Sequence, residues 1–153
     1  MQIIVTGGAG FLGQRLAKEL LTSPLVFDEL VLADIVMPLD PGNDDRVTCK
    51  QLDLSEEGAA NNLVTSKTGI VFHLAAIVSS HAEKDFDLGW KVNLDSTRQL
   101  LEACRRQHSG IRFVFASSLA VYGGMLPALV NDMTVVTLVR PTEPRKRWGI
   151  AGQ

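Results

Sequence analysis

Residues 6–13, Thr-Gly-Gly-Ala-Gly-Phe-Leu-Gly, constrain this chain more than any other stretch. Gly7, Gly10 and Gly13 recur every third residue between an apolar run, Ile3-Ile4-Val5, and a segment that becomes amphipathic from Phe11. Glycines so placed allow a tight turn, a close approach of backbone to a pyrophosphate, and close packing of helix on strand. The spacing differs slightly from Gly-x-Gly-x-x-Gly, but the mechanical demands are the same. A glycine triplet acquires meaning from what surrounds it. Here a strand precedes it, a helix follows, and the next strand closes on an acid, Asp34, twenty-one residues past Gly13.

The rest of the chain supports that turn. From Phe11, Leu12, Leu16 and Leu20 recur every four residues beside Ala17 and Leu21, with Gln14, Arg15, Lys18 and Glu19 opposite, which predicts a first helix ending at Ser23-Pro24. Strands are expected at 3–6, 29–34, 47–52, 69–74 and 111–116, with a loop over 37–46. A short helix is expected near Glu56 with Ser55 as its cap, and a long one between Asp85 and Gln107. In the long helix Leu94, Thr97, Leu100, Leu101 and Cys104 should make one face. Buried strands alternating with amphipathic helices predict an α/β fold, a Rossmann-type doubly wound parallel sheet, incomplete at its C-terminal side. Such sheets bind ligands at the carboxyl ends of their strands, where 7–13, Asp34, Asp53-Leu54, 74–76 and Ser117-Ser118 all fall.

Composition matters mainly for what it excludes. The 153 residues fit one domain, and a net charge of −2 argues against a nucleic-acid surface, so a small partner is expected. The apolar stretches are strand-sized, so no membrane span is expected, and nothing at the start reads as a signal peptide; the expectation is a cytoplasmic protein. Cys49 and Cys104 lie far apart and read as buried thiols. His73, His81 and His108 lack metal-ligand spacing, so no metal site is expected.

Asp34 admits two readings, a solvent-facing carboxylate or an acceptor for both adenosine ribose hydroxyls. The glycine turn at the right distance favours the second, and the charge opposes a 2′-phosphate, so NAD is expected over NADP. Asp53 is balanced between the adenine edge and a helix-start carboxylate. A hydroxyl at Ser117 or Ser118 could donate to a carbonyl oxygen that gains charge in a transition state. Tyr122, the one tyrosine, has no lysine four residues on and reads as part of a structural turn.

Taken together, residues 6–13, Asp34, Leu52-Asp53-Leu54, His73-Leu74-Ala75-Ala76, Val92-Asn93 and Ser117 to Gly123 resemble the NAD-dependent epimerase/dehydratase family, the extended short-chain dehydrogenases/reductases. Within it, residues 75–89 and 100–104 resemble a branch that oxidises a four-carbon sugar acid. The resemblance runs from Met1 to about Asp132. It implies that Gly7, Gly10, Phe11, Leu12 and Gly13 hold the pyrophosphate, Asp34 the ribose, and Asp53 and Leu54 the adenine. Leu74, Ala75 and Ala76 would line the NAD, Asn93 and Ser117 would lie toward its nicotinamide half, and Ser118 would be the catalytic serine. It also implies a small sugar-acid substrate and a homodimer through the 85–107 helix. Two alternatives stay open: a sugar-nucleotide epimerase or dehydratase, and a non-catalytic NAD-binding module.

The family's acid/base pair, Tyr-x-x-x-Lys some twenty-five residues beyond the serine, is absent. A phenol working near neutral pH needs a cation one helical turn away to lower its pKa. Residues 1–132 therefore read as an NAD-binding domain and 133–153 as an atypical, irregular tail. Written back into codons and shifted by one nucleotide, 137–149 can spell the missing pair, with Pro141-Thr142 over the tyrosine codon and Arg145-Lys146 over the lysine codon. The expectation is an out-of-frame extension on a truncated, inactive chain.

Overall fold

The computed structural model describes residues 1–77, 82, 84–118 and 133, and the chain divides into two units, 1–115 and 116–153. Tyr122 and residues 134–153 of the tail lie outside the described residues. The first unit runs β1 (Gln2–Thr6), α1 (Phe11–Thr22), β2 (Glu29–Asp34), β3 (Val47–Gln51), α2 (Ala59–Leu63), β4 (Thr68–His73), α3 (Phe86–Gly89), a π-helical segment (Trp90–Asp95), α4 (Ser96–Gln107) and β5 (Arg112–Phe115). Of the second unit, residues 116–118 and Met133 are described, all of them exposed.

The five strands form one parallel sheet in the order β3-β2-β1-β4-β5. Strand β1 sits at its centre because every one of its residues is buried. Alternation along the strand then divides the core. Ile3 and Val5 join Leu30, Leu32 and Ile70 beneath Ala17 and Leu20 of α1, whereas Ile4 joins Val31, Ala33 and Val71 beneath α2 and α4. Ile3, Ile4 and Val5 are wholly inaccessible, and each such burial contributes about 1.5–3 kcal/mol. After β3 the chain crosses to the other side of β1 to form β4, so the strand order reverses between β1 and β4, and the carboxyl ends of β1, β2 and β4 flank one crevice.

Helix α1 begins at Gly10 with no side-chain cap, and its last turn is closed by Ser23, whose hydroxyl and N–H both donate to the Leu20 carbonyl. Two local expectations are corrected. Ser55 caps no helix: its N–H donates to Asp53 Oδ1 at 2.8 Å, and α2 starts later, after Gly58 at φ +80°. An Asp side chain offers the backbone a turn in competition with a helix start, and here the turn wins. In the long helical run, Leu94 and Leu101 are 47% and 46% exposed, and the face on the core is Ser96, Leu100, Ala103 and Cys104. The cause is the π-helical segment: the Ser96 N–H bonds to Lys91 O, five residues back, which rotates Leu94 away from the stripe of α4.

Candidate functional site

The glycine turn is built from backbone packed on backbone. Gly7 has φ +71°, and a Cβ there would lie 2.9 Å from the Leu74 carbonyl carbon and from the Ala75 nitrogen. The Gly8 N–H donates to Ala33 O at 3.1 Å, and the Gly10 N–H to Gly7 O at 3.1 Å. Gly13 lies so close that a Cβ on it would come within 2.2 Å of Gly7 O. The turn therefore touches β2 on one side and the loop after β4 on the other. Gly10 is the open position, its Cβ meeting only Gly7 O at 3.3 Å.

The start of α1 faces outward, with Phe11 82% and Leu12 62% exposed. The first N–H groups of a helix have no intrahelical partner, and the first turn of α1 contains no acidic side chain. That end carries partial positive charge and suits an anion. Beside it, Asp34 Oδ2 accepts from the Ala9 N–H at 3.0 Å, and Oδ1 accepts weakly from the Val36 N–H at 3.4 Å. A carboxylate has lone pairs for further donors, so Asp34 is oriented without being used up. Gln14 adds a clamp that sequence reasoning missed: its amide donates to Gly8 O at 2.7 Å and to Leu39 O at 3.0 Å, tying the loop after β2 to the turn.

Asp53 is half-buried, and Leu54 places its side chain in the core with α2 and α4. Leu74 donates its N–H to Thr6 O, Ala75 donates its N–H to Thr6 Oγ1 at 3.3 Å, and Ala76 is exposed. Asn93, in the π-helical segment, grips the same loop twice, accepting from the Ile77 N–H at 2.9 Å and donating to Ile77 O at 3.0 Å. Gly7, Gly10, Gly13, Asp34, residues 74–76 and Asn93 are thus brought to one end of the sheet. Ser117 and Ser118 belong to the second unit and are exposed.

Beneath the loop lies a group of residues that the sequence reading did not connect. The buried His73 ring contacts Thr6 Oγ1 through Nδ1 at 2.6 Å and Thr97 Oγ1 through Nε2 at 2.9 Å. The rings of Phe113 and Phe115 lie 5.9 and 5.8 Å away. Burial holds the imidazolium form off, down to a pKa of about 4. The available signal was a single polar residue in the apolar run Ile70-Val71-Phe72-His73-Leu74; its partners, 67 and 24 residues away, required the fold. Among the described residues no cluster of His, Cys, Asp and Glu could hold a metal ion, and no helix is long and apolar enough to cross a membrane.

A parallel sheet covered on both faces, with a glycine turn leading from its central strand into a helix and an acid at the end of the neighbouring strand, defines a Rossmann-like nucleotide-binding fold. The chain belongs to the NAD dependent epimerase/dehydratase family, whose model matches residues 3–151. It is 50% identical over 138 residues to D-erythronate dehydrogenase of Haemophilus influenzae, covering 90% of this chain and 44% of that protein. The D-erythronate dehydrogenase of Cupriavidus necator is 44% identical, covering 98% of this chain and 47% of the relative. Among solved structures, a nucleoside-diphosphate-sugar epimerase from Agrobacterium tumefaciens superposes with a TM-score of 0.76 at 38% identity, over 90% of this chain and 43% of that one. A Thermus thermophilus UDP-glucose 4-epimerase in complex with NAD superposes with a TM-score of 0.73 at 27% identity, over 90% of this chain and 44% of that one. The chain thus spans less than half the length of these relatives.

Proposed function

We propose that this chain binds NAD across the carboxyl ends of β1, β2 and β4, and that it derives from an oxidoreductase acting on a sugar acid such as D-erythronate. The observation that carries the reading is the tie between the turn and the acid: Ala9, inside the glycine turn, donates its N–H to Asp34. One contact thereby sets the spacing between an anion-receiving helix start and a ribose-receiving carboxylate.

In this reading the backbone of Gly7, Gly10, Phe11, Leu12 and Gly13 holds the pyrophosphate, and Asp34 accepts from the ribose hydroxyls. Asp53 and the backbone of Leu54 border the adenine. Leu74, Ala75 and Ala76 line the dinucleotide, with Asn93 toward the nicotinamide. The fit is supported by the uncapped first turn of α1 and by the open surface above Gly10. When bound, a nicotinamide supplies a hydride acceptor for a secondary alcohol carbon. Ser118 would orient the substrate oxygen by a hydrogen bond. The residue that would take the hydroxyl proton, a tyrosine with a lysine four positions on, is not in this sequence, so turnover should be very low.

We further propose that 133–153 is read out of frame, which the nucleotide sequence across those codons decides. Pairing of two copies through the helical run from Phe86 to Gln107 is supported by the exposure of Phe86, Trp90, Leu94 and Leu101 along it. The 50% identity to a D-erythronate dehydrogenase favours a sugar acid over a sugar nucleotide. Calorimetric titration with NAD and NADP, followed by an assay for reduced nicotinamide with D-erythronate, tests the whole. NAD binding without reduction is expected. Failure to bind NAD refutes the cofactor reading, and sustained turnover refutes the inactivity.

A further inference from the structure

The direction of every hydrogen bond around His73 can be worked out. The Thr97 hydroxyl has one hydrogen, and it points to Asn93 O at 2.8 Å. Thr97 Oγ1 therefore accepts from His73 at Nε2, which carries the ring proton. Nδ1 is then an acceptor and takes the hydrogen of the Thr6 hydroxyl at 2.6 Å. With its hydrogen spent, Thr6 Oγ1 accepts from the Ala75 N–H at 3.3 Å. The result is one continuous, one-directional relay from Ala75 N–H through Thr6, His73 and Thr97 to the Asn93 carbonyl. The Asn93 side chain closes the ring by gripping both polar groups of Ile77.

We propose that His73, fixed as the Nε2–H tautomer, is a positioning residue that sets the loop of residues 74–77 against the glycine turn. Resting on the NAD reading above, the inference gives that loop its ligand-receiving shape from inside the sheet, before any ligand arrives. The geometry suits a neutral imidazole at this point. Two hydroxyls, a donor on β1 and an acceptor on α4, are spanned by a rigid group that is an acceptor on one side and a donor on the other. An imidazolium would donate on both sides and force Thr6 to turn its hydrogen away from the ring, breaking the single direction of the relay at the hydroxyl that holds the Ala75 N–H. The rings of Phe113 and Phe115 hold the imidazole in its plane, and Gly7 packs on the Leu74–Ala75 peptide that the relay fixes. A displaced loop would therefore displace the pyrophosphate turn.

The test combines 15N NMR of the histidines with amide hydrogen exchange on the full chain, wild type, Thr97→Ser and Thr97→Val. The Nε2–H tautomer is expected in the wild type. Thr97→Ser keeps an acceptor and should leave exchange at Ala75 and Ile77 near wild type. Thr97→Val leaves the His73 donor unpaired, and exchange at those two amides should accelerate about tenfold or more relative to Ile4 and Val31, with a comparable loss of NAD affinity. An Nδ1–H tautomer in the wild type overturns the proposal whatever the variants do, which covers a Thr97→Val chain that fails to fold. Unchanged loop exchange in Thr97→Val, or equal acceleration in Thr97→Ser, overturns it as well. If the wild type shows the tautomer and the exchange pattern but does not bind NAD, it is the cofactor reading that fails, and control of the loop by His73 stands.

Discussion

Replacing Gly13 by alanine puts a methyl group where backbone already lies. The added Cβ would sit 2.2 Å from Gly7 O, 2.9 Å from Gly8 Cα and 3.0 Å from Gly7 C. A comfortable contact is about 3.5 Å, so the closest approach is short by more than about 1 Å. All three neighbours are backbone atoms, which cannot swing aside as a side chain would. Relief requires the start of α1 to move off the turn, and Gly7 O is also the acceptor of the Gly10 N–H that shapes it. Overpacking costs about 1–3 kcal/mol, and the unyielding neighbours point to the upper end. Alanine regains about 1 kcal/mol of helix propensity over glycine. The net expectation is a loss of about 2 kcal/mol, about thirtyfold in the folding equilibrium, together with weaker NAD binding. Equilibrium urea unfolding measures it, with Gly10→Ala as the control, because that Cβ meets a single atom at 3.3 Å. A Gly13→Ala chain as stable as the wild type, or no less stable than Gly10→Ala, would refute the packing argument.

Asp34→Ala removes the acceptor of the Ala9 N–H and the proposed ribose contact; NAD affinity should fall about tenfold and NADP affinity less, and calorimetry showing unchanged NAD binding would remove Asp34 from that role. His73 titrates near 4 when folded and near 6.5 when unfolded, so between those values the unfolded chain binds more protons. Among the described residues, the groups placed against its ring are two hydroxyls and two phenyl rings, none of them charged. Its contribution is therefore fully present above about pH 6.5 and shrinks as pH falls toward 4, by at most about 3 kcal/mol. Melting curves of wild type and His73→Gln across that window should converge on acidification, and a constant difference would count against it. Trp90→Glu should lower the mass seen by sedimentation from dimer to monomer; identical masses for variant and wild type would exclude the 85–107 helix as the pairing surface.

Much of the first unit could be read from residue order alone, because its signals are local. The bounds of α1 and β2 match expectation since a 3.6-residue period, a Ser-Pro stop and a continuous apolar run are properties of short segments. The glycine turn and Asp34 were legible for the same reason: Gly8 answers a contact with the next strand and Gly13 one within the turn itself, although the contact of Gly7 with the Leu74–Ala75 peptide required the fold. Local rules failed where two of them competed. At Ser55 an Asp turn displaced the expected cap, and at 90–95 a π-helical turn shifted the stripe and left Leu94 outside the core. The partners of the polar groups could not be read at all. Gln14 looked like a surface residue of α1, and it clamps the turn to Leu39; His73 looked like one polar residue in a buried strand, and it joins β1 to α4. Periodicity says which residues turn inward, since burial is set by each residue's own side chain and its near neighbours. Which donor meets which acceptor depends on how strands far apart in the chain come to lie side by side, and only the β3-β2-β1-β4-β5 order of the sheet decided that.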